Sequence, residues 1–414
     1  MKFGCIGERL AHSFSKEIHN RIGEYDYILH EVQKDELDSF LKNRDFMGIN
    51  VTIPYKVDVI PYLHYISDQA KAIGAVNTVV NRDGKLYGYN TDFMGMRALI
   101  SKAGLSLDGK KVLILGTGGT SKTAYAVASD GGASQIITVG RSGKGNSLTY
   151  EEVYADHTDA KIIINTTPCG MYPNNSDYPI DVSKFLSLEG AIDAVYNPLD
   201  TVFVQSVKKR GLKAAGGLYM LVAQAVYAAQ EFTGKTYGTQ LIDEIYEYLL
   251  AKKQNIVLIG MPGSGKTTVG KILSSKTGFD FVDTDEYIEQ TTHNHPSHII
   301  STMGIDAFRK IESEAIAEIS KRSGSIIATG GGAVLDSINV DRLGQNGKIY
   351  FLDRPLNDIV PTDDRPLSSS RVDLEKRYEE RYDIYCASAD EIVKVHSSAD
   401  EVADTIFTKH NIKL

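Results

Sequence analysis

Gly260-x-x-x-x-Gly265-Lys266-Thr267 is the pattern with the clearest chemistry in this sequence. A loop of that spacing turns backbone N–H groups toward phosphates, lets the Lys reach the β- and γ-phosphates, and offers a hydroxyl to Mg²⁺. Gly263, Ser264, Gly265, Lys266, Thr267 and Thr268 are therefore expected to bind ATP, with Lys266 acting in catalysis and Thr267 as a metal ligand. Phe281-Val282-Asp283-Thr284-Asp285 reads as a strand ending in two carboxylates. Asp283 suits Mg²⁺ held through water, and Asp285 suits orientation of an acceptor hydroxyl; the plainer reading of such an Asp is a helix N-cap.

A second glycine turn lies upstream, Gly116-Thr117-Gly118-Gly119-Thr120-Ser121. It is a variant dinucleotide turn, in which glycines allow a sharp bend and a close approach of backbone to a pyrophosphate at a helix N-terminus. The next strand ends at Val139 and runs into Gly140-Arg141-Ser142-Gly143-Lys144. A reader of NAD ribose ends that strand in Asp or Glu, whereas Arg141 suits a 2′-phosphate, so NADP is favoured. The predicted cofactor residues here are Gly116, Thr117, Gly118, Gly119, Thr120, Arg141, Ser142 and Lys144.

Both turns must be held by βα units. Lys111–Leu115 and Asn255–Ile259 are short aliphatic runs of the kind that form buried parallel strands, and each precedes its glycine turn directly. Further strands are predicted at 136–139, 161–164 and 191–195, helices at 219–232 and 240–251, and a hairpin turn at Asn81-Arg82-Asp83-Gly84. The chain has 414 residues, enough for about two to four domains. Its net charge is −8, which argues against a general nucleic-acid binder. Residues 1–253 carry 27 Lys+Arg against 28 Asp+Glu, and residues 254–414 carry 18 against 25, so the acidic excess is C-terminal. Three scattered cysteines make no disulfide framework or metal cluster. With no apolar leader and no run near the ~20 residues of a membrane span, a cytoplasmic protein is expected.

Before the first glycine turn, small hydroxyl and amide groups recur: Ser13-Phe14-Ser15, Asn50-Val51-Thr52-Ile53-Pro54-Tyr55-Lys56, Gly74-Ala75-Val76-Asn77-Thr78 and Asn90-Thr91-Asp92. Such groups bind a polyhydroxylated small molecule by hydrogen bonds, and Lys56 and Asp92 are the titratable members. These motifs, with Asn165-Thr166-Thr167-Pro168-x-Gly170-Met171, Asp193-x-x-Tyr196-x-Pro198 and Gly217-x-x-Met220-Leu221-x-x-Gln224, resemble shikimate dehydrogenase over residues 1 to about 250. The resemblance implies that Ser13, Ser15, Thr52, Asn77, Tyr196 and Gln224 hold the substrate and that Lys56 and Asp92 are the catalytic pair. It also places Ala194 and Gly217 at the cofactor. Gly140 stands where that family often has Asn.

From about residue 254 to the end, the P-loop, Gly304-x-x-x-Phe308-Arg309-x-x-Glu312, Ala328-Thr329-Gly330-Gly331-Gly332, Asp364-Arg365-Pro366-Leu367 and Glu380-Arg381-Tyr382 resemble shikimate kinase. The resemblance implies Asp285, Arg309, Gly331 and Arg381 as substrate residues, the two arginines clamping a carboxylate. Glu312 would hold Arg309, and Arg365 would close over the ATP phosphates from a lid. The segment from Pro355 to Asp364 is shorter than the family's lid, which bears on kinase efficiency rather than on ligand identity.

Together the resemblances imply a two-step enzyme on the route to chorismate and the aromatic amino acids. NADP(H), ATP and Mg²⁺ are its expected cofactors, and 3-dehydroshikimate and shikimate its small-molecule substrates, with no nucleic acid or membrane partner. The expected architecture is α/β: a substrate domain (1–92 with 217–250), a Rossmann-type NADP domain (93–216) and a P-loop, NMP-kinase-like parallel-sheet domain (254–414). Two alternatives stand beside this reading. One is a quinate/shikimate dehydrogenase using NAD, fused to a small-molecule kinase of different specificity. The other is a degenerate kinase serving as a nucleotide-binding or assembly module.

Overall fold

The computed structural model describes residues 2–10, 14–143, 145–359 and 371–411. The chain divides into two compact units, Met1–Tyr246 and Glu247–Leu414, and the division falls inside the helix Thr239–Lys253.

The first unit contains two sheets. The N-terminal sheet is mixed, with β1 (Phe3–Gly7), β2 (Tyr27–Glu31), β3 (Gly48–Val51), β4 (Tyr65–Ile66), β5 (Thr78–Arg82) and β6 (Lys85–Tyr89) in the order β2-β1-β3-β5-β6-β4. β1 pairs in parallel with β2 and β3, whereas β3–β5 and β5–β6 are antiparallel. The predicted hairpin turn joins β5 to β6, with Asp83 and Gly84 at φ 51° and 78°, the positive φ at both central positions that such a tight turn needs. β1 and β3 are buried at every position, hence their apolar runs rather than alternation.

The second sheet is wholly parallel: β7 (Lys111–Leu115), β8 (Gln135–Val139), β9 (Ile162–Asn165), β10 (Gly190–Asp193) and β11 (Lys213–Ala215), in the order β11-β10-β9-β7-β8. The strand expected at 191–195 instead ends at Asp193, because that carboxylate turns back to accept the Val195 N–H and closes the strand. The helix Leu218–Thr233, rich in Ala and Val, returns to the N-terminal part of the unit. It packs on the helices Thr91–Lys102 and Ser15–Ile22, and its Phe232 joins a cluster with Phe3, Tyr27 and Val80. Gly48 makes that possible, since a Cβ there would stand 2.4 Å from the Phe232 ring.

The second unit is built on a five-stranded parallel sheet. Its strands are β12 (Asn255–Ile259), β13 (Asp280–Asp283), β14 (Ser325–Ala328), β15 (Gly347–Asp353) and β16 (Glu391–Lys394), in the order β13-β14-β12-β15-β16. β12 is central and feeds both cores. Val257 and Ile259 enter a cluster with Ile316, Leu343 and Tyr385, while Ile256 and Leu258 enter one with Leu273, Val402 and Ile406. The P-loop therefore leaves the middle of a sheet covered on both faces.

Candidate active sites

In the first unit, β3 delivers Asn50, the segment after it delivers Thr52 and Lys56, and β5 begins beside Asn77. The Val76 N–H donates to the Lys56 carbonyl (2.8 Å), tying the two segments together. Asn90 caps the helix Thr91–Lys102, its side chain accepting from the Phe93 N–H, which puts Asp92 in the first turn. Lys56 Nζ then lies 2.6 Å from Asp92 Oδ2, both side chains partly open to solvent. One helical turn on, Gly95 lets the helix Leu218–Thr233 approach: a Cβ on Gly95 would sit 2.9 Å from the Gln224 Cβ. Gln224 thus reaches the helix that carries Asp92, and its Nε2 donates to the Leu221 carbonyl.

Asn77 is buried, and a network fixes its orientation. Its Oδ1 accepts from the Thr91 N–H (2.7 Å) and the Thr78 hydroxyl (3.0 Å), so its Nδ2 is the donor. Behind it, Asn50 Nδ2 donates to the Thr78 hydroxyl (3.1 Å), and the Tyr27 hydroxyl donates to Asn50 Oδ1 (2.7 Å). His19 stacks on Tyr27 at 3.9 Å; burial pushes its pKa down to about 3, so it stays neutral. The motif reading quoted Asn50, Thr78 and Thr91 but assigned them no part. Their signal was the density of side chains able both to give and to accept.

The first glycine turn has the expected form. Gly116 adopts φ 111°, Gly118 caps the helix Gly119–Asp130, and a Cβ on Gly118 or Gly119 would meet nothing within 4 Å. An exposed helix N-terminus without side chains over it fits a pyrophosphate. Thr120 lies in the helix's first turn, and Arg141 and Ser142 are exposed just after β8. A cavity of about 860 Å³ opens beside the turn, lined in part by Thr117, Ser121, Lys122 and Ser147. Ala194 and Gly217 meet, since a Cβ on Gly217 would be 2.3 Å from the Ala194 carbonyl oxygen. Tyr196 packs edge-on against Phe14 at 5.6 Å, next to Ser15 at the start of its helix.

The 194–201 loop is anchored by Asp193, to which the motif reading gave no role. The Asp193 carboxylate accepts from Asn165 Nδ2 (2.9 Å), the Val195 N–H (2.9 Å) and the Thr201 hydroxyl (2.6 Å). Burial nevertheless pushes its pKa up to about 7. A carboxyl whose folded pKa lies above its ordinary value of 3.8 contributes stability that is full below about pH 4 and lost as pH rises to about 7. The unfolding free energy of the first unit, read from urea titrations, is therefore expected to fall across that window by an amount on the order of 4 kcal/mol. In Asp193→Asn, which keeps the shape without the charge, the slope flattens; equal slopes in both proteins would refute the assignment.

In the second unit, the P-loop and β13 converge. Gly260, Gly263 and Gly265 hold φ of 144°, 83° and 98°, positions that side-chain-bearing residues rarely adopt. Lys266 Nζ donates to the Gly260 and Met261 carbonyls (2.9 and 3.0 Å) and opens the helix Lys266–Thr277. Ser264 is buried with its hydroxyl unmatched among the described residues, and Thr268 lines the cavity. The strand expected over 281–285 stops at Asp283, and Asp285 lies in the first turn of the helix Thr284–Thr292. The stop comes from Asp283 itself: its Oδ1 caps that helix by accepting the Asp285 N–H (3.0 Å). Its Oδ2 accepts from the Thr267 hydroxyl (2.9 Å), so the capping and metal readings coexist. This pair of hard oxygens fits Mg²⁺, which keeps several waters and takes few protein ligands.

A cavity of about 540 Å³ joins the P-loop to Asp285, Arg309, Gly331 and Arg381. Burial and the neighbouring Asp283 charge hold the Asp285 carboxyl above its usual range, making it a better proton acceptor. Arg309 ion-pairs with the buried Glu312. Arg381 Nη1 donates to the Gly331 carbonyl (2.9 Å), as does the Tyr385 hydroxyl. Arg354, Arg377 and His295 also line this cavity and were missed; Arg377 stands one helical turn before Arg381, a spacing legible in the sequence. Gly332 is needed for Arg309, since a Cβ there would lie 2.0 Å from its Nη2. Gly332→Ala is expected to displace the flexible guanidinium, raising the KM for the acceptor about tenfold or more with the melting temperature kept. Steady-state kinetics with calorimetry checks this, and an unchanged KM refutes it.

Ser13, Lys144 and Arg365, with the lid segment from Pro361 to Asp364 that precedes Arg365, lie outside the described residues.

Residues 262–411 match the family model described as shikimate kinase, and residues 5–79 the one described as shikimate dehydrogenase substrate binding domain. The chain is similar to the NADP(+) shikimate dehydrogenase of Clostridium perfringens (strain SM101), 38% identical over 265 residues, covering 60% of this chain and 97% of the relative. It is 40% identical over 245 residues to that of Clostridium beijerinckii, covering 55% and 90%. Among solved structures it resembles a chorismate mutase/shikimate 5-dehydrogenase fusion protein from Clostridium acetobutylicum. That match is 35% identical, with TM-score 0.56, over 59% of this chain and 95% of that one. It also resembles shikimate 5-dehydrogenase from Thermus thermophilus in complex with NADP(H) and shikimate, 29% identical, with TM-score 0.54, over 59% and 98%.

Proposed function

The chain belongs to the shikimate dehydrogenase family and carries a shikimate kinase domain behind that part, and from this premise we propose that it catalyses two consecutive reactions on one carbon skeleton. The first is NADPH-dependent reduction of 3-dehydroshikimate to shikimate, and the second is ATP-dependent phosphorylation of shikimate to shikimate 3-phosphate. The observation that carries the reading is that one chain holds both a Lys–Asp pair at 2.6 Å beside a buried amide network and a P-loop cavity walled by Asp285, Arg309 and Arg381.

Bound NADPH supplies a hydride to the C3 ketone. Lys56 then gives its proton to the oxygen as negative charge develops there, and Asp92 holds the ammonium in place. Asn77 Nδ2, Thr52, Ser13, Ser15, Tyr196 and Gln224 bind the substrate's hydroxyls and carboxylate. Lys144 and Arg141 complement the 2′-phosphate of the cofactor, and Gly116 to Thr120 its pyrophosphate. In the second site, Asp285 takes the hydrogen bond of the new 3-hydroxyl, and Arg309 and Arg381 clamp the carboxylate, Arg309 being oriented by Glu312. Lys266 would reach the β- and γ-phosphates, Thr267 and Asp283 would hold Mg²⁺, which would neutralise phosphate charge, and Arg365 would contact the phosphates. The three domains proposed are 1–92 with 217–250, 93–216 and 254–414. Small molecules are the proposed partners, with no nucleic acid or membrane, and the cytoplasm, where free cysteines stay reduced, is the proposed setting.

A coupled assay with 3-dehydroshikimate, NADPH and Mg·ATP tests both halves. NADPH oxidation with shikimate 3-phosphate formation is expected. Oxidation without the phosphate ester would sink the kinase half, and no oxidation would sink the other.

A further inference from the structure

Arg354 follows β15 directly and is accounted for by none of the contacts above. Its Nε is buried without a hydrogen-bond partner, and its guanidinium makes no ion pair or hydrogen bond among the described residues. Among the described residues, three carboxylates of this region are held by other groups. Asp353 pairs with Lys394 and accepts from the Tyr382 hydroxyl (3.2 Å), Asp283 serves Thr267 and the Asp285 N–H, and Glu312 holds Arg309. Yet Arg354 lines the cavity with Lys266, Thr267 and Thr268, and its Nη1 lies 4.0 Å from where a Cβ on Gly265 would stand.

A guanidinium desolvated at Nε and left without a protein acceptor is completed by an anion. Gly265 is the N-cap of the helix Lys266–Thr277, where backbone N–H groups and the helix dipole already favour negative charge. We propose that Arg354 is a further ligand of the bound nucleotide, donating to the outer phosphates of a nucleoside triphosphate from the end of β15. The proposal rests on the kinase reading. It assigns the arginine a role distinct from Arg309 and Arg381, whose place is the acceptor's carboxylate.

The test is calorimetric titration of the full chain, in Mg²⁺, with a non-hydrolysable ATP analogue, AMP and shikimate separately. Arg354→Ala is expected to weaken the ATP analogue about tenfold or more, as loss of a charge-assisted hydrogen bond does, and AMP and shikimate by less than twofold. Arg354→Lys, which keeps the charge but not the planar fork, falls between the two. Equal losses for AMP and the ATP analogue would assign Arg354 a structural role and overturn the proposal. So would unchanged affinities in both variants while the parent chain binds the analogue. A parent chain that binds no nucleotide overturns the kinase reading first, and the proposal with it.

Discussion

Lys56→Ala is expected to lower kcat for NADPH-dependent reduction of 3-dehydroshikimate by about 10²–10⁴-fold, the range for loss of a positioned general acid. ATP-dependent phosphorylation of shikimate by the same variant proceeds at the parent rate. In the proposed mechanism Lys56 gives the proton, and its Nζ lies 2.6 Å from Asp92 Oδ2. With it gone, the developing alkoxide must draw its proton from water and loses the ammonium that stabilises it. Asp92 is then left facing the substrate without its counter-charge, which adds repulsion toward a carboxylate ligand. The measurement is stopped-flow NADPH oxidation on the full chain. The kinase rate of the same preparation reports on folding, because Lys266 and its cavity belong to the other compact unit. A variant that keeps more than a tenth of the parent kcat would take Lys56 out of the catalytic role.

Lys266→Ala is expected to do the converse, lowering shikimate phosphorylation by about 10²–10³-fold or more and leaving NADPH oxidation untouched. The Lys266 ammonium donates to the Gly260 and Met261 carbonyls, so it is preplaced at the mouth of the P-loop. It exchanges two neutral acceptors for phosphate oxygens, a gain that grows as charge shifts to the leaving group. Alanine removes that gain and also loosens the loop. The test therefore reads kcat with saturating Mg·ATP, which separates lost transition-state stabilisation from weakened binding. A variant with raised KM for ATP and unchanged kcat would reduce Lys266 to a binding group. The acidic excess of this half makes the effect local, since attraction for anionic ligands must come from Lys266 and the arginines around the cavity.

The two glycine turns were legible because their function is backbone geometry, and backbone geometry is written in glycine spacing and the aliphatic strand before it. Gly116 at φ 111° and Gly265 at φ 98° are what those patterns demanded. The motif order along residues 1–250 likewise carried the family, since the chain covers 97% of a relative's length. Asp283 was readable as a cap or as a metal ligand, and the structure keeps both because a carboxylate has two oxygens to give.

Side-chain partnerships over long sequence separations were not legible. Lys56 and Asp92, 36 residues apart, were only two titratable groups until β3 and the capped helix Thr91–Lys102 brought them to 2.6 Å. Asn77 gained its orientation from Thr91, Thr78, Asn50 and Tyr27, a network that needs four chain segments to meet. Asp193 looked like part of a motif, yet its burial, which raises its pKa, and the hydrogen bonds from Asn165 and Thr201, which oppose that rise, appear only on folding. The unmatched Nε of Arg354 could not be foreseen either, because whether a guanidinium has a partner depends on where every nearby carboxylate is already spent. Residue types and local backbone patterns along the chain suffice to say which ligands each half is equipped to hold. Which groups share a proton, a charge or a cavity is settled by folding, because that depends on distances of about 3 Å between atoms that the chain order leaves far apart.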